Sequence, residues 1–113
     1  MRSVALEKAK GSLGNAKIVF VIPAYNEDQS SIAVLQSVLD AGCGVVAVDD
    51  GSDNGMFSSW EQVFSTQEGI VLLQHVVNSG QGAALQTGFE YLLRYGEGIE
   101  YVVTFDADGQ HDL

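Results

Sequence analysis

Two aspartates separated by one residue, Asp106 and Asp108, follow directly on the apolar run Tyr101-Val-Val-Thr-Phe105, and Gln110 stands two residues further on. Alternate side chains of an extended segment point the same way. Both carboxylates can therefore converge on one cation, and the Gln110 amide oxygen can join them. Magnesium or manganese, which take hard oxygen ligands, suits such a set and would bridge to a substrate diphosphate. A bare Asp-x-Asp also reads as a turn, with Asp106 capping and Gly109 supplying positive φ. Its place at the end of a buried strand, last in a series of such strand-end clusters, favours the metal reading.

Three further clusters could do chemistry. Asp49-Asp50-Gly51-Ser52 follows Val45-Val-Ala-Val48. A carboxylate there can accept hydrogen bonds from base N–H groups or ribose hydroxyls, which makes a nucleotide a natural partner. The same stretch loosely resembles a calcium loop, a reading discounted because a single short motif matches by chance; Asp53 is placed to cap the next helix. Pro23-Ala24-Tyr25-Asn26-Glu27 offers an aromatic ring suited to stacking on a base, with a rim tyrosine packed on the following helix as the other reading. Asn78-Ser-Gly80-Gln-Gly82 opens a helix, where glycines let the backbone approach closely and N–H groups attract anions. It is not a dinucleotide fingerprint, since Leu85 stands where glycine or alanine belongs, and there is no Gly-Lys-Ser/Thr of a phosphate-binding loop. His75, inside an apolar run, reads as a core or sheet-face histidine rather than a ligand. His111 directly follows the metal candidates and is either one of that group or a solvated loop residue.

The elements that must position these residues alternate. Apolar, β-branched runs at Lys17–Pro23, Val45–Val48, Ile70–Val77 and Tyr101–Phe105 fit strands buried on both faces. Helical patterns lie between them. Ser31–Ala41 puts Ile32, Leu35, Val38 and Leu39 on one face, with Ser30 or Ser31 as N-cap and Gly42 as stop. Asn54–Ser65 groups Met56, Phe57, Trp60, Val63 and Phe64, and Gln81–Tyr95 groups Ala84, Leu85, Phe89, Leu92 and Leu93. Such alternation predicts βαβ units and a mainly parallel sheet. Right-handed crossovers then place every strand C-terminus on one edge, where open α/β sheets bind ligands. All four polar clusters fall just after a strand. Residues 1–16 show little periodicity and read as an N-terminal arm, mobile or a short helix, ahead of a domain over residues 17–113.

Bulk properties narrow the partners. The 113 residues make one domain or part of one, and 46% hydrophobic residues allow a real core. Fifteen acidic against five basic residues give a net charge of -10, which argues against nucleic acid. An acidic protein that handles phosphates needs a divalent cation or backbone N–H groups. Cys43 is the single cysteine, so an intramolecular disulfide and a cysteine zinc cluster are excluded. No apolar run follows the basic residues near the start as a signal peptide requires, and no stretch approaches the ~20 apolar residues of a membrane span. The expected location is cytoplasmic, with the full-length protein peripheral to the cytoplasmic face of the membrane.

Taken in order, Val21-Ile-Pro-Ala-Tyr-Asn-Glu27, Val48-Asp-Asp-Gly-Ser52, Asn78-x-Gly-x-Gly-x-Ala-Leu-x-x-Gly88 and Phe105-Asp-Ala-Asp-Gly-Gln-His111 resemble the successive motifs of family 2 glycosyltransferases. The dolichol-phosphate mannosyltransferase-like branch and the bacterial polyprenyl-phosphate enzymes look most similar. The resemblance implies a GT-A fold, a three-layer α/β/α Rossmann-like arrangement, and a nucleotide-diphosphate-sugar donor carrying uracil or guanine. It implies that Pro23, Tyr25 and Glu27 line the base and ribose pocket, with Ala24 and Asn26 in the same segment. Asp50 would contact the base, flanked by Asp49 and Gly51. Asn78, Gly80, Gly82, Asp106 and Ala107 would complete the donor site, and Asp106, Asp108 and Gln110 would hold Mg2+ or Mn2+. The reaction implied is an inverting displacement at the anomeric carbon, toward a polyprenyl phosphate or a glycan.

The chain stops five residues after Asp108, and the acidic residue that acts as base on the acceptor side in this family has no counterpart. A truncated, donor-binding half with weak donor binding and little turnover is therefore expected, its open fourth strand available for a homodimer. Two rivals stand beside this reading. A haloacid-dehalogenase-type phosphatase shares Asp-x-Asp-Gly, but begins its domain with it. A non-catalytic nucleotide-binding module built on the same fold is the other.

Overall fold

The computed structural model describes residues 6–105 and residue 107. Five strands and three helices follow one another: β1 (Leu6–Ser12), β2 (Ile18–Ala24), α1 (Ser30–Asp40), β3 (Gly44–Asp49), α2 (Met56–Phe64), β4 (Ile70–His75), α3 (Gln81–Tyr95) and β5 (Tyr101–Thr104). The sheet order is β1-β4-β3-β2-β5. Strands β2 to β5 run parallel and β1 pairs antiparallel with β4. This is the three-layer α/β/α arrangement expected.

Each central strand carries apolar residues on both faces, and each face has its own helical cover. Ile22, Val45, Ala47, Ile70 and Leu72 meet Leu35 and Val38 of α1 and Met56, Phe57, Trp60 and Phe64 of α2. On the other face Val19, Val21, Val46, Val48, Val71 and Leu73 meet Ala84 of α3. The period-2 alternation of a strand thus feeds two cores at once, which is why these runs are almost purely apolar. A buried chain of hydrogen bonds ties α2 to α1. Trp60 Nε1 donates to Ser31 Oγ at 3.0 Å, and that hydroxyl donates to the Asp28 carbonyl at 3.0 Å.

Helix starts differ in detail from expectation. Neither Ser30 nor Ser31 is the N-cap of α1. Gln29 holds that position, and Asp28 Oδ1 accepts the Ser30 N–H at 2.8 Å. Hydrogen bonds from the Ser30 hydroxyl and then its N–H hold the exposed Asp28 carboxyl below its ordinary value. At α2 it is Asn54, not Asp53, whose side chain accepts an opening N–H, that of Met56 at 3.1 Å.

Two larger expectations are corrected. Residues 6–12 are neither an arm nor a helix. They form β1 on the edge of β4, so the sheet begins before residue 17. Main-chain pairing to an open strand edge holds such a segment, and Leu-Glu-Lys-Ala-Lys-Gly-Ser carries no apolar alternation to announce it. On α3 the buried stripe is Ala84, Thr87 and Gly88, with Leu85, Tyr91 and Leu92 packed beside it; of the expected face, Phe89 is 39% and Leu93 88% exposed. The helix is turned so that its small residues face the sheet. A Cβ on Gly88 would lie 2.5 Å from Val21 Cγ1. The close approach of helix to sheet therefore selects glycine over the larger apolar residues. Strand β5 is the open edge expected of the fourth parallel strand, but it is not buried on both faces as its apolar run suggested: with a neighbour on one side only, it is exposed along its length. Among the described residues no helix is long and apolar enough to cross a membrane.

Gly88→Ala is expected to destabilise the fold. Overpacking against a buried valine costs about 1–3 kcal/mol, offset by about 1 kcal/mol of helix propensity. A urea unfolding midpoint lower than wild type is the expected readout; an unchanged or higher midpoint would contradict the close packing.

Candidate functional site

The chain crosses from β2 to β3 to β4 in one direction, then returns through α3 to lay β5 on the other side of β2. The point of reversal lies between β2 and β5, and crevices of open α/β sheets form outside the strand C-termini at such a point. A cleft of about 240 Å³ is found there, lined by Pro23, Ala24, Tyr25, Glu27, Asp50, Asn78, Gly80, Gln81 and Ala107. Four strand-end loops contribute to it.

Asp50 is held in the cleft by several hydrogen bonds. It is 3% exposed. Its Oδ1 accepts from His75 Nδ1 at 2.8 Å and from the Ser79 N–H at 2.9 Å, and its Oδ2 accepts the Gly80 N–H at 2.8 Å. Its own N–H donates to the Ala24 carbonyl at 2.8 Å, continuing the β2–β3 pairing past the strand end. His75 is fully buried, and its Nε2 lies 2.7 Å from Thr87 Oγ1 on α3. The histidine is the sheet-face core residue expected from its position. The glycine-rich opening of α3 does bind an anion through its N–H groups, and that anion is the protein's own carboxylate. A negative charge at a helix N-terminus is also favoured by the helix dipole.

Asp49 points away from this cluster. Its Oδ1 accepts the Ser52 N–H at 2.8 Å and its Oδ2 accepts Gln74 Nε2–H at 3.0 Å. Gly51, at φ +79°, packs so closely that an added Cβ would overlap the backbone of Val77 and Asn78. Only glycine lets the loop after β3 lie on the loop after β4. The loops after β2 and β3 are also laced together. Asn26, at φ 51°, donates its N–H to Ser52 Oγ at 2.7 Å and accepts the Asp53 N–H on Oδ1 at 3.0 Å. Asn54 Nδ2 donates to the Glu27 carbonyl at 3.2 Å. The result is a fixed loop that leaves the Tyr25 ring 44% exposed at the mouth of the cleft.

Of the residues singled out from the sequence, Pro23, Ala24, Tyr25, Glu27, Asp50, Asn78, Gly80 and Ala107 share the cleft. Asn26, Asp49 and Gly51 build the loops behind it, and Gly82 sits in the first turn of α3. Asp106, Asp108, Gln110 and His111 lie outside the described residues. Ala107 is 1% exposed and packs with the α1–α2 core. Gln81 was not anticipated; it is the first residue of α3 after the Gly80 N-cap, and that position was its one available signal. Among the described residues no three His, Cys, Asp or Glu side chains gather as a cation site. Asp49 and Asp50 are both engaged by N–H donors.

The sequence model of glycosyl transferase family 2 matches residues 19–113. An uncharacterized protein of Methanocaldococcus jannaschii is 38% identical over 96 residues, covering 84% of this chain and 37% of that protein. The UDP-N-acetylglucosamine–dolichyl-phosphate N-acetylglucosaminyltransferase of Methanococcus voltae is 29% identical over 107 residues, covering 83% of this chain and 42% of that enzyme. The polyprenol monophosphomannose synthase of Mycolicibacterium smegmatis is 29% identical over 98 residues, covering 84% of this chain and 36% of that enzyme. The chain thus spans roughly two-fifths of the length of these relatives.

Asp50→Asn is expected to lower stability by about 1–3 kcal/mol, because the amide cannot accept from Gly80, His75 and Ser79 together and one buried donor loses its partner. Chemical denaturation of the two proteins side by side measures this. Equal midpoints would mean that the Asp50 hydrogen bonds do not hold the loop.

Proposed function

Because this chain belongs to glycosyl transferase family 2, we propose that its cleft takes a nucleotide-diphosphate sugar with uracil or guanine as base. In this reading the chain is the donor-binding part of an enzyme that passes the sugar to a polyprenyl phosphate or a glycan. The observation that carries the reading is the convergence of Tyr25, Glu27, Asp50 and Ala107 in one cleft at the point where the strand order reverses. The printed names of two relatives support the substrate classes: one acts with UDP-N-acetylglucosamine and dolichyl phosphate, the other makes a polyprenol monophosphomannose.

The roles follow from chemistry. The half-exposed Tyr25 ring offers a stacking surface for the base. Asp50 is acceptor-only when ionised, so it recognises a base N–H or a ribose hydroxyl rather than a carbonyl. The diphosphate would have to lie against a protein of net charge -10. The Ser79 and Gly80 N–H groups are already bonded to Asp50, so they are not there to neutralise it. Asp106, Asp108 and Gln110 would hold magnesium or manganese, whose chemistry there is to neutralise charge on the departing nucleoside diphosphate. Ala107, placed in the cleft between those two aspartates in sequence, supports that assignment. Displacement at the anomeric carbon with inversion is the reaction proposed for the whole enzyme. A polyprenyl phosphate acceptor would already be an anionic nucleophile and would need no base.

Calorimetric titration of UDP-sugars and GDP-sugars, with manganese and with chelator, tests the reading. One nucleotide class is expected to bind, with the manganese-dependent part of the affinity lost in Asp106→Ala and Asp108→Ala. Tyr25→Ala should weaken binding by about 1–3 kcal/mol, roughly 5- to 150-fold, as for loss of base stacking. A folded sample that binds neither class would overturn the donor site. Binding indifferent to chelator would remove the metal from the proposal. Binding with no sugar transfer from a full-length protein would favour the non-catalytic nucleotide module.

A further inference from the structure

We infer that His75 and Thr87 are positioning residues for the nucleotide end of the donor site, acting through Asp50. The inference rests on the donor-site reading above and adds to it two buried residues that do not line the cleft. Among the described residues, Asp50 Oδ1 receives two donors, His75 Nδ1 and the Ser79 N–H, whereas Oδ2 receives one, the Gly80 N–H. A carboxylate has about four lone-pair sites, so the remaining capacity lies on Oδ2. His75 decides that outcome. By occupying Oδ1 from the buried side, it fixes the rotation of the carboxylate and leaves Oδ2 to accept from a ligand.

Thr87 secures the histidine in turn. In a neutral ring whose Nδ1–H donates to the acceptor-only carboxylate, Nε2 must accept, and the Thr87 hydroxyl is 2.7 Å away to donate. Gly80 and Thr87 are seven residues apart on α3, about two turns. The Asp50–His75 pair therefore grips α3 at two points, its opening N–H groups and its second turn. Asn78, Gly80 and Gln81, which line the cleft on that side, are held at a set position relative to the Asp50 carboxylate. His75, Asp50 and Thr87 are all buried, and among the described residues no buried side-chain nitrogen or oxygen lacks a partner. Fully satisfied buried polar networks are rigid, and breaking one link misplaces the rest.

The test compares two amide replacements with opposite geometry. The side-chain nitrogen of asparagine falls where Nδ1 was and can donate to Asp50; that of glutamine falls near Nε2 and cannot. UDP and GDP are titrated calorimetrically into wild type, His75→Asn, His75→Gln and Thr87→Val, with folding checked by circular dichroism. Whichever nucleotide wild type binds, His75→Gln is expected to weaken it about tenfold or more, and His75→Asn to stay within about threefold of wild type. Thr87→Val should fall between them. Equal affinities for the asparagine and glutamine variants would overturn the inference, because it requires a donor at the Nδ1 position in particular. A second measurement needs no variant: imidazole 15N spectra of wild type should show Nδ1 protonated and Nε2 as the acceptor. A proton on Nε2 with Nδ1 bare would also overturn it. Wild type that binds neither nucleotide would remove the donor site and the inference together, while nucleotide binding with indistinguishable variants removes the inference alone.

Discussion

A carboxylate taken almost completely out of water must be surrounded by hydrogen-bond donors, because an unpaired buried charge is far more costly than any single contact returns. The Asp50 carboxylate, at the end of β3, meets that constraint with three donors from the next strand and helix: the His75 ring and the N–H groups of Ser79 and Gly80. Much of the local structure depends on it. The loop after β4 must turn its backbone N–H groups toward β3, and α3 must begin where those groups converge. Gly51 must lack a side chain so that the loop can come close enough. The second turn of α3 is then reached through His75 and Thr87. A one-sided sheet edge becomes a wall held by these hydrogen bonds.

The opposite wall is built differently. Between β2 and α1 the chain is held by neutral hydrogen bonds to the loop after β3, through Asn26, Ser52, Asp53 and Asn54. Asn26 adopts the left-handed conformation that asparagine tolerates better than most residues. The two walls meet at Asp50, whose N–H also bonds the end of β2. Where the strand order reverses between β2 and β5, Phe105 packs edge-on against Phe20 with ring centroids 6.1 Å apart. Charge follows from the same arrangement. Since the first anion at the start of α3 is internal, a second anion of the diphosphate kind would find that N-terminus partly neutralised. The cation proposed above would then supply the counter-charge.

Legibility varied with the kind of signal. Strands β2, β3 and β4 were visible because burial on both faces demands continuous apolar, β-branched runs, and the start and end of α3 matched the sequence pattern at Gln81 and Tyr95. The clustering of polar residues after each strand was visible because parallel crossovers leave only one edge for them. Strand β1 was not, since its pairing is made by the backbone and its residues carry no pattern. The face of α3 is legible in part: Ala84, Leu85 and Leu92 pack on the sheet as their spacing predicts, whereas hydrophobicity points wrongly to Phe89 and Leu93. The sheet takes Gly88, where backbone proximity outweighs side-chain area, and Thr87, whose hydroxyl satisfies a histidine. Capping went to neighbours of the expected residues, Gln29 with Asp28 and Asn54, because several adjacent polar side chains could each reach the first turn.

By itself, then, the sequence determined the α/β class, the parallel core strands, the family and the set of strand-end residues from which a site could be built. Those properties depend on local periodicity and on ordered motifs, which are written along the chain. Only the tertiary structure decided which of those residues face a common cleft and which hold the loops behind it. Asp49 and Asp50 are adjacent and chemically identical, yet one is turned to Ser52 and Gln74 and the other to His75 and α3. Successive side chains on a strand leave on opposite faces. Which face carries α3 is settled by the path of the crossover, and that path exists only once the chain has folded.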